Sequence, residues 1–190
     1  MSAPPVPPIL LASSSPQRLA IMAQLGLPFD VIPHRYEEIT EDPVVHAVGK
    51  ARSVADEANG RPVLGIDTEV ICAGRVYGKP ENATDAELML DSLSGKMHEV
   101  VSGLCLIGEG WEEVHKETTR VFFRRLTPRD LAHYVSWGEW EGRAGGYAIQ
   151  GLGASLVERI MGDYLNVVGL PAALLVRVLS QRFPGLYGFG

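Results

Sequence analysis

The chain has 190 residues, of which 46% are hydrophobic and 21% charged, as is usual for a soluble globular protein of one domain or two small lobes. Its net charge of −6 argues against a broad nucleic-acid-binding surface, although a nucleotide needs only a few local Lys and Arg residues. No apolar stretch approaches the roughly 18 residues that span a membrane, and the N-terminal residues lack the pattern of a secretory signal. Cys72 and Cys105 lie in apolar runs that favour core positions and a reducing compartment, so we expect a cytoplasmic protein.

The first predicted elements are a strand and a helix joined by a short polar turn. Residues 9–12 form an apolar run that predicts a buried strand, and Ser13, Ser14 and Ser15 follow it. Ser15 suits an N-cap, and the proline after it suits the first position of a helix. Because a helix N-terminus offers free N–H groups and Arg18 lies beside it, this turn could bind an anion such as phosphate; a simple helix cap is the alternative.

The next segment predicts a strand, a polar loop and a second helix. Residues 29–32 alternate as a short strand does, and the loop over 34–42 carries Glu37 and Glu38. A helix is expected from Pro43 to about residue 58, with Asn59 and Gly60 ending it. Lys50 lies off or at the edge of the apolar face of this helix.

Residues 62–72 predict a strand that is interrupted by polar residues in its middle. Asp67, Thr68 and Glu69 stand inside an otherwise apolar run, and acidic residues are depleted in strands. An acidic residue beside a loop at the end of a strand is a common place for chemistry in α/β folds. We therefore interpret Asp67 as a functional residue, against the alternative of an edge residue that faces water.

The remainder of the chain predicts alternating strands and helices and one long loop. The predicted elements are a strand over 75–77, an exposed turn over 78–80, a helix over 85–93 capped by Thr84, a hairpin of strands over 97–107 and 114–125, a helix that begins at 127–130, a glycine-rich loop over 138–153, a strand over 154–161 and a final helix over 169–179. Loops as long as the one over 138–153 are usually functional or mobile.

Taken together, these segments carry motifs that resemble the Maf family of nucleoside triphosphate pyrophosphatases over nearly the whole chain. The motifs are L-A-S-x-S-P-x-R at 11–18, the acidic pair at 37–38, Lys50, D-T at 67–68, G-K-P at 78–80, L-S-G-x-x-H at 93–98, A-G-x-Y-x-I-Q-G at 144–151 and G-D-Y-x-N-V-V-G-L-P at 162–171. Each piece alone is weak, whereas their order and spacing together are highly specific.

The resemblance implies an α/β fold in a single Maf-like domain over residues 1–190. The implied architecture is a mixed, twisted sheet flanked by helices, with two lobes around a cleft, as in inosine-triphosphatase-like enzymes. The implied activity is hydrolysis of a nucleoside triphosphate to the monophosphate and pyrophosphate, assisted by Mg²⁺ or Mn²⁺. Family members often form dimers, so a homodimer is expected, with the nucleoside triphosphate as partner and with neither nucleic acid nor membrane.

The resemblance also implies roles for individual residues. Asp67 matches the family's catalytic acid, as the base for the attacking water or as a metal ligand that places the water; the sequence leaves both roles open. Glu38 is the expected second carboxylate at the metal, because Mg²⁺ prefers a few carboxylates together with phosphate oxygens and water. The residues expected to bind the substrate are Ser13, Ser15, Gln17, Arg18, Lys50, Thr68, Lys79 and Gln150.

The resemblance implies that three of these positions sort the substrate bases, namely Gln17, Thr68 and Gln150. Thr68 and Gln150 match the branch of the family that acts on dTTP and UTP, and the amide of Gln150 offers the donor and acceptor that suit a pyrimidine edge. A loop-stabilising role for that amide is the alternative. Gln17 departs from the pattern, because the pyrimidine branch normally has an arginine there, and Ser102 is a milder departure from a common threonine.

The sequence leaves two alternative functions open. One is a nucleotide-binding regulator of cell division with weak turnover, which the presence of Asp67, Lys79 and both carboxylate positions disfavours. The other is a pyrophosphatase for modified purine triphosphates such as 7-methyl-GTP, for which Gln17 leaves room.

Overall fold

The computed structural model describes residues 6–189 and has a mixed α/β architecture. Its strands are β1 (Ile9–Leu11), β2 (Phe29–Val31), β3 (Val63–Cys72), β4 (Arg75–Tyr77), β5 (Met97–Gly108), β6 (Trp111–Phe123) and β7 (Val157–Met161). Its helices are α1 (Pro16–Gln24), α2 (Pro43–Arg52), α3 (Ala83–Leu93), α4 (Pro128–Trp137), α5 (Tyr164–Val168) and α6 (Ala172–Arg182). No helix within this range is long and apolar enough to cross a lipid bilayer.

Within the described residues, seven strands form one mixed sheet, which confirms the predicted α/β class with helices flanking a sheet. The order is β2-β1-β3-β5-β6-β7, and β4 pairs with β3 off this path. β1 is parallel to both β2 and β3, whereas β4 is antiparallel to β3 and β7 is antiparallel to β6. Asp67 therefore lies in the middle of a ten-residue strand, β3, and not at a strand end beside a loop.

The described residues group into two compact units. The first unit comprises the chain up to residue 67, together with 102–117 and the chain from 169 onward; the second comprises 68–101 and 118–168. Each unit has its own apolar core. The core of the first contains Leu10, Ala47, Ala51, Val63 and Cys105, and the core of the second contains Leu90, Val121, Phe123, Tyr134 and Tyr147. Both cysteines are buried and free, as expected.

The last helix, α6, was predicted over 169–179 but runs Ala172–Arg182. Two further helix boundaries were wrong, and in each case a local hydrogen bond explains the difference. α2 ends at Arg52 and not near residue 58, because the Ser53 hydroxyl donates to the Lys50 carbonyl at 2.8 Å and the backbone leaves the helical region at the next residue. A short 3₁₀ turn, Ala55–Glu57, follows. Asn82, not Thr84, caps α3, because its side chain accepts from the N–H of Asp85 at 3.0 Å.

Other boundaries follow the sequence more closely. The predicted start of α4 is confirmed: Thr127 and Asp130 form a reciprocal capping box. The predicted hairpin is also confirmed, with a turn at 109–110 between β5 and β6. The long loop contains the 3₁₀ turn Ala144–Gly146, and a second 3₁₀ turn, Leu152–Leu156, follows where the strand was predicted to start; β7 therefore begins at Val157 and not at residue 154. The short helix α5 was not predicted.

Candidate functional site

In the first unit, α2, β3 and the loop after β2 bring four ionisable side chains together. We call Glu38, His46, Lys50 and Asp67 the Asp67 cluster. Lys50 Nζ donates to Asp67 Oδ1 at 2.5 Å and lies 2.6 Å from Glu38 Oε1. His46 Nδ1 lies 3.2 Å from Asp67 Oδ2.

The position of Lys50 corrects the sequence prediction, which put it off or at the edge of the apolar face of the helix. Lys50 is only 4% exposed and Asp67 only 8%. A buried ammonium is costly unless it is paired, and here two carboxylates pair with it. The arrangement therefore holds a cation directly beside the carboxylate that the sequence singled out.

Sequence reasoning missed His46, which is 2% exposed and contacts Asp67 directly. A signal was available: His46 precedes Lys50 by four residues on α2, and residues at that spacing lie on the same face of a helix. A buried Lys50 would therefore have predicted a buried His46 beside it. The periodicity alone did not indicate that this face points to β3.

Glycines on neighbouring strands allow α2 to lie this close to the sheet. A Cβ on Gly65 of β3 would be 2.2 Å from the carbonyl oxygen of Ala47 and 2.8 Å from the Cβ of Ala51. A Cβ on Gly103 of β5 would be 2.2 Å from the carbonyl oxygen of Pro43. Such distances are far below van der Waals contact, so any side chain at these positions would push the helix away. The small residues thus bring His46 and Lys50 within hydrogen-bonding reach of Asp67.

The Asp67 cluster also has the donor set of a divalent cation site. Glu38, His46 and Asp67 each offer one ligand atom, and these three atoms lie within 4.8 Å of one another. Carboxylate oxygens suit Mg²⁺ and Mn²⁺, and imidazole suits transition metals. The residues therefore fit the metal that the family resemblance implies. Lys50 forms an ion pair with each of the two carboxylates.

The turn between β1 and α1 provides a second set of polar groups in the first unit. Ser13 is buried, and its Oγ accepts from the N–H of Ser15 at 3.2 Å and from Arg18 Nη1 at 3.2 Å. Arg18 Nε donates to the carbonyl of Gly169 at 3.0 Å. Burial lowers the pKa of the Arg18 guanidinium, and the negative charges of Asp67 and Glu38 oppose that shift. Arg18 is thus a tethered cation in the field of the Asp67 cluster.

The Ser15 side chain does not cap α1 as the sequence predicts. Its hydroxyl donates to Gln17 Oε1 at 3.0 Å, and the helix begins with no side-chain capping bond, although Pro16 does open it. Gln17 is therefore partly engaged with its own turn.

Three candidate residues belong to the second unit. Thr68 follows Asp67 in β3, Lys79 is exposed in the turn after β4, and Gln150 is exposed in the long loop. The N–H of Gly145 donates to the carbonyl of Gly78 at 3.0 Å, so the turn that carries Lys79 is joined to the loop that carries Gln150.

Three side chains brace that loop within the second unit. His98 Nε2 is 2.8 Å from the hydroxyl of Tyr147, the Tyr134 hydroxyl accepts from the N–H of Ala148 at 3.0 Å, and the Glu139 carboxylate accepts from the N–H groups of residues 152 and 153. Burial lowers the pKa of His98 to about 4 and raises the pKa of Tyr134 to about 12. His98 and Tyr134 are therefore neutral near pH 7, whereas the Glu139 carboxylate accepts the two backbone N–H groups.

Comparison with known proteins identifies the family. The profile described as Maf-like protein matches residues 8–182. A protein of Gloeobacter violaceus named dTTP/UTP pyrophosphatase is 45% identical over 181 residues, which is 91% of this chain and 95% of that protein. Proteins with the same name from Moorella thermoacetica and Pyrococcus furiosus are 44% and 40% identical, each over 181 residues; these cover 90% of this chain and 93% and 94% of those proteins.

Proposed function

The chain belongs to the Maf-like protein family, and from this membership and the Asp67 cluster we propose that it is a nucleoside triphosphate pyrophosphatase that acts on dTTP and UTP. The observation that carries the proposal is the position of Asp67, whose two carboxylate oxygens are bound by Lys50 on one side and His46 on the other. The relatives that match over more than 90% of their length carry the name of this activity.

The chemistry requires charge neutralisation and a positioned water. A triphosphate repels a nucleophile because its phosphate oxygens are negative, so cations at the phosphates lower the barrier. In our proposal Arg18, Lys50 and Lys79 supply positive charge, while Ser13 and Ser15 hold phosphate oxygens at the start of α1. Water adds to phosphorus, the anhydride bond between the α- and β-phosphates breaks, and pyrophosphate leaves with the bonding electron pair.

Asp67 would accept the proton of the attacking water or place that water as a metal ligand. Glu38 is the second carboxylate of the proposed metal site, where a bound Mg²⁺ or Mn²⁺ would neutralise phosphate charge. We propose that Thr68, Gln17 and Gln150 select the base, with the Gln150 amide facing the O4 and N3–H of uracil or thymine. We also propose that residues 1–190 act as one domain, because the family profile spans parts of both units.

The test is pyrophosphate release from dTTP, UTP, CTP, dGTP, ITP and 7-methyl-GTP with Mg²⁺ or Mn²⁺. We expect release from dTTP and UTP, and a fall of about 10²–10⁴-fold in Asp67→Asn, as for loss of a general base. Asp56→Asn is the matched control, because Asp56 is exposed in the 3₁₀ turn after α2. Release from another base alone would contradict the pyrimidine assignment, and release from none would favour a nucleotide-binding regulator.

A further inference from the structure

His46 is a buried histidine with a hydrogen-bond partner at each ring nitrogen. Nδ1 lies 3.2 Å from Asp67 Oδ2, and Nε2 lies 3.3 Å from the hydroxyl oxygen of Thr40. The hydroxyl oxygen of Thr40 also accepts from the N–H of Asp42 at 3.3 Å. A continuous chain of hydrogen bonds thus runs from the backbone before α2 through His46 to the carboxylate in β3.

The partners favour a proton on Nδ1 of His46. A carboxylate accepts and a hydroxyl can donate, so the geometry fits a ring whose Nδ1–H donates to Asp67 and whose Nε2 accepts from the Thr40 hydroxyl. Thr40 can donate there because its oxygen separately accepts the N–H of Asp42. The hydrogen bonds from Asp42 through Thr40 and His46 to Asp67 then run in one consistent direction.

Lys50 and His46 together fix the orientation of the Asp67 carboxylate. Lys50 Nζ binds Oδ1 and His46 Nδ1 binds Oδ2, from successive turns of the same helix. At the other end of this series of hydrogen bonds, Thr40 lies two residues after Glu38, the second carboxylate. The imidazole therefore contacts Asp67 directly and the segment that carries Glu38 through Thr40.

Direct metal coordination by His46 would need the opposite tautomer, with an unprotonated Nδ1 and with Nε2–H donating to Thr40. Lys50 Nζ binds Oδ1 of Asp67, so Oδ2 is the oxygen that the imidazole contacts. The 3.2 Å separation of Nδ1 and Oδ2 is an ordinary hydrogen-bond distance.

We propose that His46 is a positioning residue, which holds Asp67 in its reactive orientation through Nδ1–H and ties it through Thr40 to the segment carrying Glu38. This inference rests on the proposed function, because the reaction that Asp67 serves is the pyrophosphohydrolysis argued above. His46 acts through Asp67 and needs no contact with the nucleotide.

Amide side chains can separate the two nitrogens of His46. The amide nitrogen of Asn reaches the position of Nδ1, whereas the amide nitrogen of Gln reaches the position of Nε2. For dTTP hydrolysis we expect kcat to fall about 10- to 100-fold in His46→Leu and His46→Gln, with KM nearly unchanged, and to recover most of its value in His46→Asn. His133→Leu, at an exposed position of α4, is the control.

Equal loss in His46→Asn and His46→Leu, or full activity of His46→Leu, would overturn the proposal. Thermal unfolding of each variant identifies any that fail to fold. Thr40→Val is a second test that should not impair folding, because Thr40 lies in an exposed loop. Thr40→Val should lower kcat, and Thr40→Ser should keep the wild-type kcat. Full activity of Thr40→Val would contradict the link to the segment carrying Glu38.

A second readout is independent of turnover. Long-range ¹H–¹⁵N spectra of the imidazole rings, with His46 assigned from the spectrum of His46→Asn, should show a protonated Nδ1 and an unprotonated Nε2. The opposite tautomer would overturn the proposal and favour metal coordination. Absence of triphosphate hydrolysis by the wild-type protein would instead count against the proposed function, while the tautomer still decides whether His46 donates to Asp67.

Discussion

Two buried histidines occupy opposite kinds of environment in this protein. His46 belongs to the Asp67 cluster, where it contacts the Asp67 carboxylate, which Lys50 also binds. His98 packs edge-on against Phe123 and Tyr147, with ring centroids 4.9 and 5.5 Å away, and makes one neutral hydrogen bond to the Tyr147 hydroxyl. Burial alone therefore does not distinguish a histidine of the candidate site, whereas the charge of its neighbours does.

The strongest test of this contrast removes the cation from the Asp67 cluster. Lys50→Met should lower pyrophosphatase activity about 10²-fold, because a preorganised positive charge is lost from the phosphate site. It should also lower the free energy of unfolding by about 3 kcal/mol, because two carboxylates lose their buried partner. Steady-state kinetics and urea unfolding measure the two effects. Lys96→Met, which removes an exposed lysine bound only to a backbone carbonyl, is the control and should change neither.

The His98 environment predicts a pH effect on stability. Its native pKa is lowered to about 4 from 6.5, so the unfolded chain binds a proton between these pH values that the native protein does not. The free energy of unfolding should therefore fall as pH decreases from about 6.5 to about 4, by about 3 kcal/mol from this group, and stay level below that range. In His98→Gln, whose amide can keep the bond to Tyr147, this part of the pH dependence should disappear. An identical pH dependence in both proteins would contradict the assignment.

The smallest effect is expected at Gln150, in the loop that His98 helps to brace. Gln150→Glu replaces an amide donor with a carboxylate, which repels the O4 of uracil and thymine. The ratio of kcat/KM for dTTP to that for dGTP should fall about 10-fold or more, with little change in the melting temperature because the residue is exposed. Equal ratios before and after the change would show that Gln150 only stabilises the loop.

The local signals in the sequence predicted much of the fold. The start of α4 was predicted correctly because Thr127 and Asp130 satisfy each other within one turn. The end of α2 was predicted wrongly, because a serine hydroxyl such as that of Ser53 can equally well face solvent. Here it donates to the Lys50 carbonyl and accepts from the backbone N–H of Arg35, which lies 18 residues earlier in the sequence. Which hydrogen-bond partner a short polar side chain takes depends on packing, and hydrophobic periodicity does not contain that information.

In the candidate site, too, some residues were predicted from the sequence and one was found only in the structure. The motifs identified Glu38, Lys50 and Asp67, and the structure brings them together, while their catalytic roles stay predictions. His46 was missed because a histidine within an amphipathic helix has no distinctive local pattern. Its importance is visible only beside Asp67, which lies 21 residues away along the chain.

By itself, the sequence determined the types and approximate places of the helices and strands and the family, and it predicted residues for phosphate and metal binding that stay predictions. Only the tertiary structure decided that Lys50 and His46 point inward and bind the two oxygens of Asp67. The physical reason is the close approach of α2 to β3, which Gly65 permits by leaving no side chain between the helix and the strand. That distance is a property of packing between segments, and hydrophobic periodicity within a segment does not contain it.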